Sequence, residues 1–220
     1  MNKKQLINYL KEEGFPKKIL DAFSNAKRED FISKEFKESA YEDAPLPIGL
    51  GQTISQPYTI AFMLDLLEIE NKNNLKILEI GSGSGYVLAL MNDISKNSKI
   101  FGIERIKELA EKSQKILKDY KNIKIIYGNV IKWLEKETPL DRILISASAD
   151  RMPENLYSQL KEDGIMVCVV GNSIYQIKRD KDKINKKEYP GFVFVPLIED
   201  WKKKVYKIFF IEFWKMECKR

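Results

Sequence analysis

The stretch Leu75-Lys76-Ile77-Leu78-Glu79-Ile80-Gly81-Ser82-Gly83-Ser84-Gly85-Tyr86 decides the fold. A short apolar run, of strand rather than helix length, enters a turn of alternating glycine and serine, and helical spacing resumes over 84–95. A glycine-rich turn between a strand and a helix lets a ligand approach the backbone closely and aims helix N–H groups at it. The third glycine follows the second by two residues rather than three, so the turn departs from the G-x-G-x-x-G dinucleotide fingerprint. No G-x-x-x-x-G-K-[ST] occurs either, which excludes a P-loop.

Beyond this turn strands and helices alternate. The patterning predicts strands at 75–80, 99–104, 123–127, 142–146 and 165–170, with helices at 106–119, 130–137 and 153–161 between them. The 106–119 segment opens with acidic and closes with basic residues, as the helix dipole favours. Such β-α-β alternation predicts an α/β fold with a doubly wound, mostly parallel sheet. From 172 onward the rhythm changes: 174–178, 192–195 and 205–214 read as strands without intervening helices, the simplest account being antiparallel additions at a sheet edge. Lys178 to Lys187 reads as a solvated hairpin tip, and Lys202-Lys203-Lys204 flanks the last strand. Upstream, 2–13 and 16–26 read as helices broken at Gly14-Phe15-Pro16. The stretch 41–58, with three prolines and two glycines, reads as an ordered loop, and 59–69 as a further helix. The chain is expected to form one domain: N-terminal helices and loop over 1–70, a binding core over 71–171 and C-terminal strands over 172–220.

The 220 residues are 44% hydrophobic and 32% charged, enough apolar material for a packed core. The net charge of +6 comes from basic residues interleaved with acids, which reads as a Lys-rich soluble protein rather than a nucleic-acid binder. Cys168 falls in an apolar run and Cys218 in the tail, so neither a disulfide framework nor a metal cluster is indicated. No run spans a membrane and no leader segment is evident, so a cytoplasmic protein is expected. The chain has no histidine. A Ser-His-Asp triad, a Cys-His pair and histidine-ligated metals are thereby excluded, and the chemistry must proceed without an imidazole base.

Glu79 stands two residues before the first glycine, and the resulting E-x-G-x-G-x-G resembles the first motif of class I methyltransferases that use S-adenosylmethionine. The resemblance implies a cofactor site formed by Glu79, Gly81, Ser82, Gly83 and Gly85. Glu104 closes the second strand, beside the glycine turn in a doubly wound sheet, where a carboxylate can accept from both hydroxyls of a ribose; Arg105, which follows it, is expected among the cofactor-binding residues. The third strand ends in Gly128-Asn129, at the turn that faces adenine in this class. Asn129 stands where Asp is usual and keeps an acceptor oxygen without the charge.

The 41–58 loop carries a narrower resemblance. Tyr41-Glu42-Asp43-Ala44-Pro45-Leu46-Pro47-Ile48-Gly49-Leu50-Gly51-Gln52-Thr53-Ile54-Ser55-Gln56-Pro57-Tyr58 closely resembles the loop ahead of the cofactor motif in protein-L-isoaspartate O-methyltransferases. Arg28-Glu29-Asp30-Phe31, Ile103-Glu104-Arg105-Ile106, Asp141-Arg142-Ile143 and Phe194-Val195-Pro196-Leu197 extend the likeness over roughly residues 15–198. It implies methyl transfer from S-adenosylmethionine, leaving S-adenosylhomocysteine, to the free α-carboxylate of isoaspartyl residues in damaged proteins and peptides. The ester then collapses to a succinimide, and hydrolysis returns some normal aspartate. The resemblance places the active-site serine on Ser55, with Thr53 beside it. Judged from the residues alone, Ser55 reads instead as the cap of a helix starting near Pro57. A monomer is expected. Alternatives are a carboxyl methyltransferase acting on a dedicated peptide, a nucleic-acid methyltransferase, and a module that binds without turnover. The second lacks an Asn-Pro-Pro-Tyr type motif and a cysteine near the cofactor turn.

Overall fold

The computed structural model describes residues 1–128 and 137–192. The expected helix at 130–137, Asn129, Phe194-Val195-Pro196-Leu197 and the strand at 205–214 therefore lie outside the described residues, wholly or nearly so. Two N-terminal helices, α1 (Lys3–Glu12) and α2 (Lys17–Asn25), lead into the loop region. α1 starts in a capping box: the Asn2 side chain accepts from the Gln5 amide at 3.0 Å while the Gln5 side chain accepts from the Asn2 amide at 2.8 Å. The expected loop contains a small antiparallel hairpin, β1 (Leu46–Gly49) and β2 (Gln52–Ile54), followed by α3 (Pro57–Leu66).

The central sheet has the order β5-β4-β3-β6-β7-β8-β9. Its parallel strands are β3 (Lys76–Ile80), β4 (Lys99–Glu104), β5 (Ile123–Tyr127), β6 (Leu140–Ala149) and β7 (Leu160–Val170). Helices α4 (Tyr86–Ile94) and α5 (Lys107–Ile116) connect the first three. β8 (Ser173–Asp180) and β9 (Lys183–Pro190) then run antiparallel at the edge. The doubly wound, mostly parallel sheet with antiparallel edge strands is as the sequence implied.

Three details differ. Residues 153–161 do not form an α-helix: a 3-10 turn at Glu154–Gln159 runs directly into β7, which starts earlier than expected. The turn of the edge hairpin is Lys181-Asp182, and Lys183, Lys186 and Lys187 lie on β9 rather than in a tip. β9 is polar on both faces, so no period-2 pattern announces it, and lysines suit an edge strand because they discourage further pairing. The strand expected at 192–195 is preceded by this one, and only Phe192 of that stretch is described.

Side chains of β3 alternate between two cores. Ile77 joins the cluster under α1–α5, while Leu78 and Ile80 join the one on the opposite face with Ile143, Ile145 and Met166. Both faces are covered, so every residue of β3 after Lys76 is buried, Glu79 included. Leu78→Ala at the centre of this sheet should cost about 2–5 kcal/mol, read as a lower urea midpoint at unchanged slope. Among the described residues no helix is long and apolar enough to cross a membrane.

Candidate active site

The cleft at the carboxyl ends of β3 and β6 is where doubly wound sheets bind ligands. The glycine turn is pinned there by backbone bonds: the Gly81 and Ser82 amides donate to the Ile103 carbonyl at 2.9 and 3.2 Å, and the Gly85 amide donates to Ser82 at 2.8 Å. Gly83 has φ +50, and a Cβ there would stand 3.1 Å from Ile48 Cδ1, so the hairpin closes directly over the turn. Gly85 serves packing instead. With φ +84, it lies where a Cβ would meet Leu117 Cδ1 at 2.7 Å, so only glycine admits the end of α5 this close.

Glu104 reaches back to the turn from the end of β4. Its two carboxylate oxygens accept from the Gly83 amide at 2.9 Å and the Ile106 amide at 2.8 Å. Each oxygen keeps a second lone pair, so the group is fixed by backbone and still able to accept two hydroxyls. The Gly128 amide donates to the Glu104 carbonyl at 3.0 Å, which sets the third strand end beside it. Arg105 is exposed. Of the predicted cofactor residues, Gly85, Glu104, Arg105 and Gly128 do not line the cleft over the turn.

Glu79 is 1% exposed and faces the cleft. One oxygen accepts from the Ser146 hydroxyl at 2.7 Å; the other has no partner. Burial pushes its carboxyl up to about 8, the Ser146 bond opposes the shift and the charge of Glu104 adds to it. The Ser82 hydroxyl is likewise buried and unpartnered. Two buried polar groups without partners, a glycine cradle and a carboxylate fixed against the turn with a lone pair to spare on each oxygen fit a cofactor carrying a ribose and cationic groups. A folded pKa above the unfolded value of about 4.3 means that the folded state holds an extra proton across that interval. Stability therefore falls as pH rises toward about 8. Urea unfolding of Glu79→Gln against the parent should show the variant gaining relative stability between pH 6 and 8.5; a constant difference would remove the buried neutral acid.

The hairpin brings Thr53 and Ser55 to the same cleft, opposite Glu79, Gly81, Ser82 and Gly83. Ser55 is not the cap of α3. The N-cap is Gln56, without a side-chain capping bond, and the first turn is served by Asp43, whose carboxylate accepts from the Tyr58 amide at 2.8 Å and from Gln56 Nε2 at 2.7 Å. Among the described residues no protein group bonds the Ser55 hydroxyl, so it is available to a ligand. The structure thus gathers Thr53, Ser55, Glu79, Gly81, Ser82 and Gly83 in one cleft with Glu104 against the turn. Sequence reasoning passed over Ser146, although its place at the end of an expected strand was a usable signal. It also passed over the capping role of Asp43, which nothing local to either residue announces. No group of three potential metal ligands occurs among the described residues.

Residues 1–202 match the family described as protein-L-isoaspartate(D-aspartate) O-methyltransferase (PCMT). A Petrotoga mobilis protein named protein-L-isoaspartate O-methyltransferase is 42% identical, covering 90% of this chain and 96% of that one. One of the same name from Ignicoccus hospitalis is 40% identical, covering 90% and 98%. Among solved structures, a Plasmodium falciparum chain in complex with S-adenosyl-L-homocysteine, named for the same activity, superposes with a TM-score of 0.79 at 29% identity, covering 91% of this chain and all of that one.

Proposed function

The chain belongs to the protein-L-isoaspartate O-methyltransferase family, and from that premise we propose that it methylates the free α-carboxylate of isoaspartyl residues in damaged proteins and peptides, beginning their repair. The observation that carries this reading is the placement of the Thr53–Ser55 segment opposite the glycine turn, across one cleft. An α-carboxyl group has a reference pKa of roughly 3.3–3.7, so the substrate arrives ionised and is a nucleophile without a base. That suits a chain with no histidine.

S-adenosylmethionine supplies an activated methyl group on a sulfonium centre when bound. Glu104 is the residue for the ribose hydroxyls. Glu79, with Ser146 and Ser82 beside it, is the acceptor for the cationic part. The hydroxyls of Ser55 and Thr53 donate to the substrate carboxylate and hold one oxygen toward the methyl carbon. Transfer forms an O–C bond and breaks a C–S bond; no proton moves. Holding the reactants in line is the main contribution, roughly 7–11 kcal/mol at best for well-oriented pairs. Burial of the Glu79 side excludes water from the cleft floor and strengthens these contacts.

The reading is of a cytosolic monomer that acts on peptides rather than nucleic acid. Cys168 takes no part in the chemistry: its thiol is buried and pushed up to about 12, so it is inert to exchange. The test is incubation with methyl-labelled cofactor and matched peptides containing isoaspartate, aspartate or no acid. Base-labile label on the first alone is expected; label on the aspartyl peptide or on RNA, or none anywhere, would overturn the proposal.

A further inference from the structure

Arg28 is fully buried, 0% exposed, yet it makes no ion pair among the described residues. Its Nη2 donates to two carbonyls, Ser55 at 3.0 Å and Ala44 at 3.3 Å. Nε and Nη1 have no partner. The guanidinium lies 5.4 Å from the centre of the Tyr86 ring, within cation–π range. Tyr86 opens α4 directly after the glycine turn, and its ring is held edge-on by Phe23 at 6.1 Å and Phe31 at 5.3 Å.

Ala44 and Ser55 bracket the β1–β2 hairpin. One nitrogen thus closes the base of the element that carries Thr53 and Ser55, and the same group is seated on the first residue past the cofactor turn. A buried unpaired cation is a poor way to stabilise a core, since apolar residues of similar volume often serve better. What an apolar residue cannot do is grip two carbonyls and register them against a ring.

We propose that Arg28 is a positioning residue: it clamps both ends of the serine hairpin against Tyr86 and so sets the distance between the Ser55 hydroxyl and the glycine turn. This rests on the proposed function. In-line transfer is sensitive to such spacing, because a displacement of about 1 Å can cost on the order of 100-fold in rate. The Arg28 side chain does not line the cleft itself, so its removal should leave cofactor contacts in place.

The test compares Arg28→Met, which keeps an unbranched side chain without charge or donors, with Arg28→Lys, which keeps the cation but loses the forked head. Each variant is assayed for urea stability, for S-adenosylhomocysteine affinity by calorimetry, and for kcat and KM on an isoaspartyl peptide. In Arg28→Met, kcat should fall about 100-fold, with cofactor affinity within about threefold of the parent. Arg28→Lys should recover about tenfold of that loss, since one amine can serve one carbonyl at a time. A folded variant with parental kcat overturns the clamp, as does an equal loss of kcat and cofactor affinity. If Arg28→Met fails to fold, Arg28→Lys decides alone. The parent is measured in the same series: a parent that leaves the isoaspartyl peptide unmodified overturns the proposed function and the clamp with it, whereas an active parent matched by Arg28→Lys overturns the clamp only.

Discussion

Ser55→Ala is expected to lower kcat on an isoaspartyl peptide by about 100-fold or more while leaving S-adenosylhomocysteine affinity within about twofold. The magnitude follows from placement: a displacement of the attacking oxygen by about 1 Å can cost on the order of 100-fold in rate. The separation of the two effects follows from geometry. Ser55 lies on the hairpin side of the cleft, and the cofactor elements lie on the other. The helix behind it is capped through Asp43 and Gln56, so removing the hydroxyl takes no cap away and should cost little stability. Steady-state kinetics, calorimetry and a urea curve on one preparation check all three expectations. Parallel losses in rate and cofactor affinity would show that Ser55 shapes the cofactor site instead.

Glu104→Ala should weaken S-adenosylhomocysteine binding by about 10- to 100-fold. Hydrogen bonds to a charged group are worth about 1.5–3 kcal/mol each, and 1.4 kcal/mol is a tenfold change in affinity. The same substitution strands the amides of Gly83 and Ile106, which now donate to the carboxylate. Leaving part-buried donors unmatched should remove about 1–3 kcal/mol of stability. Glu104→Gln keeps an acceptor oxygen for one of the two amides and should sit between parent and alanine in both measurements. Unchanged affinity in a folded Glu104→Ala protein would take the ribose role away from this residue.

Much of this was legible in the chain because the deciding signals are local. The 75–86 stretch carries strand, turn and helix start in consecutive residues, and Glu104 closes the next strand on its neighbour. Parallel strands buried on both faces read as plain apolar runs, which is why β3 and β4 were placed closely. β9 was missed for the opposite reason: as an exposed edge with lysines on it, it buries almost nothing and leaves no period. The bounds of β7 failed where Lys161, Glu162 and Asp163 form a charged, exposed run instead of an apolar one. Within the site, Glu79 and the glycines could be named from the likeness of their motif to class I methyltransferases, and Thr53 and Ser55 only from the likeness of the 41–58 loop to the isoaspartate methyltransferase family. The ambiguity of Ser55 between cap and ligand group could not be resolved there, since the competing cap, Asp43, stands 15 residues before the Tyr58 amide it serves and reaches it only through the folding of the loop. The burial of Arg28 was equally hidden. A charged residue in a short 3-10 turn (Arg28–Asp30) ordinarily faces water, and only the tertiary approach of the Tyr86 ring and of the Ala44 and Ser55 carbonyls says otherwise.

The central claim is that a carboxylate already ionised in solution is held for transfer with no proton to remove. The most direct test is the single-turnover rate on an isoaspartyl peptide between pH 6 and 9, with cofactor and peptide both saturating. A flat profile is expected, because the nucleophile is fully ionised throughout and, with cofactor saturating, its cationic part against Glu79 favours the charged form of that carboxyl, which burial alone pushes up to about 8. A rate that climbs about tenfold per pH unit through the neutral range would reveal a general base and contradict the account.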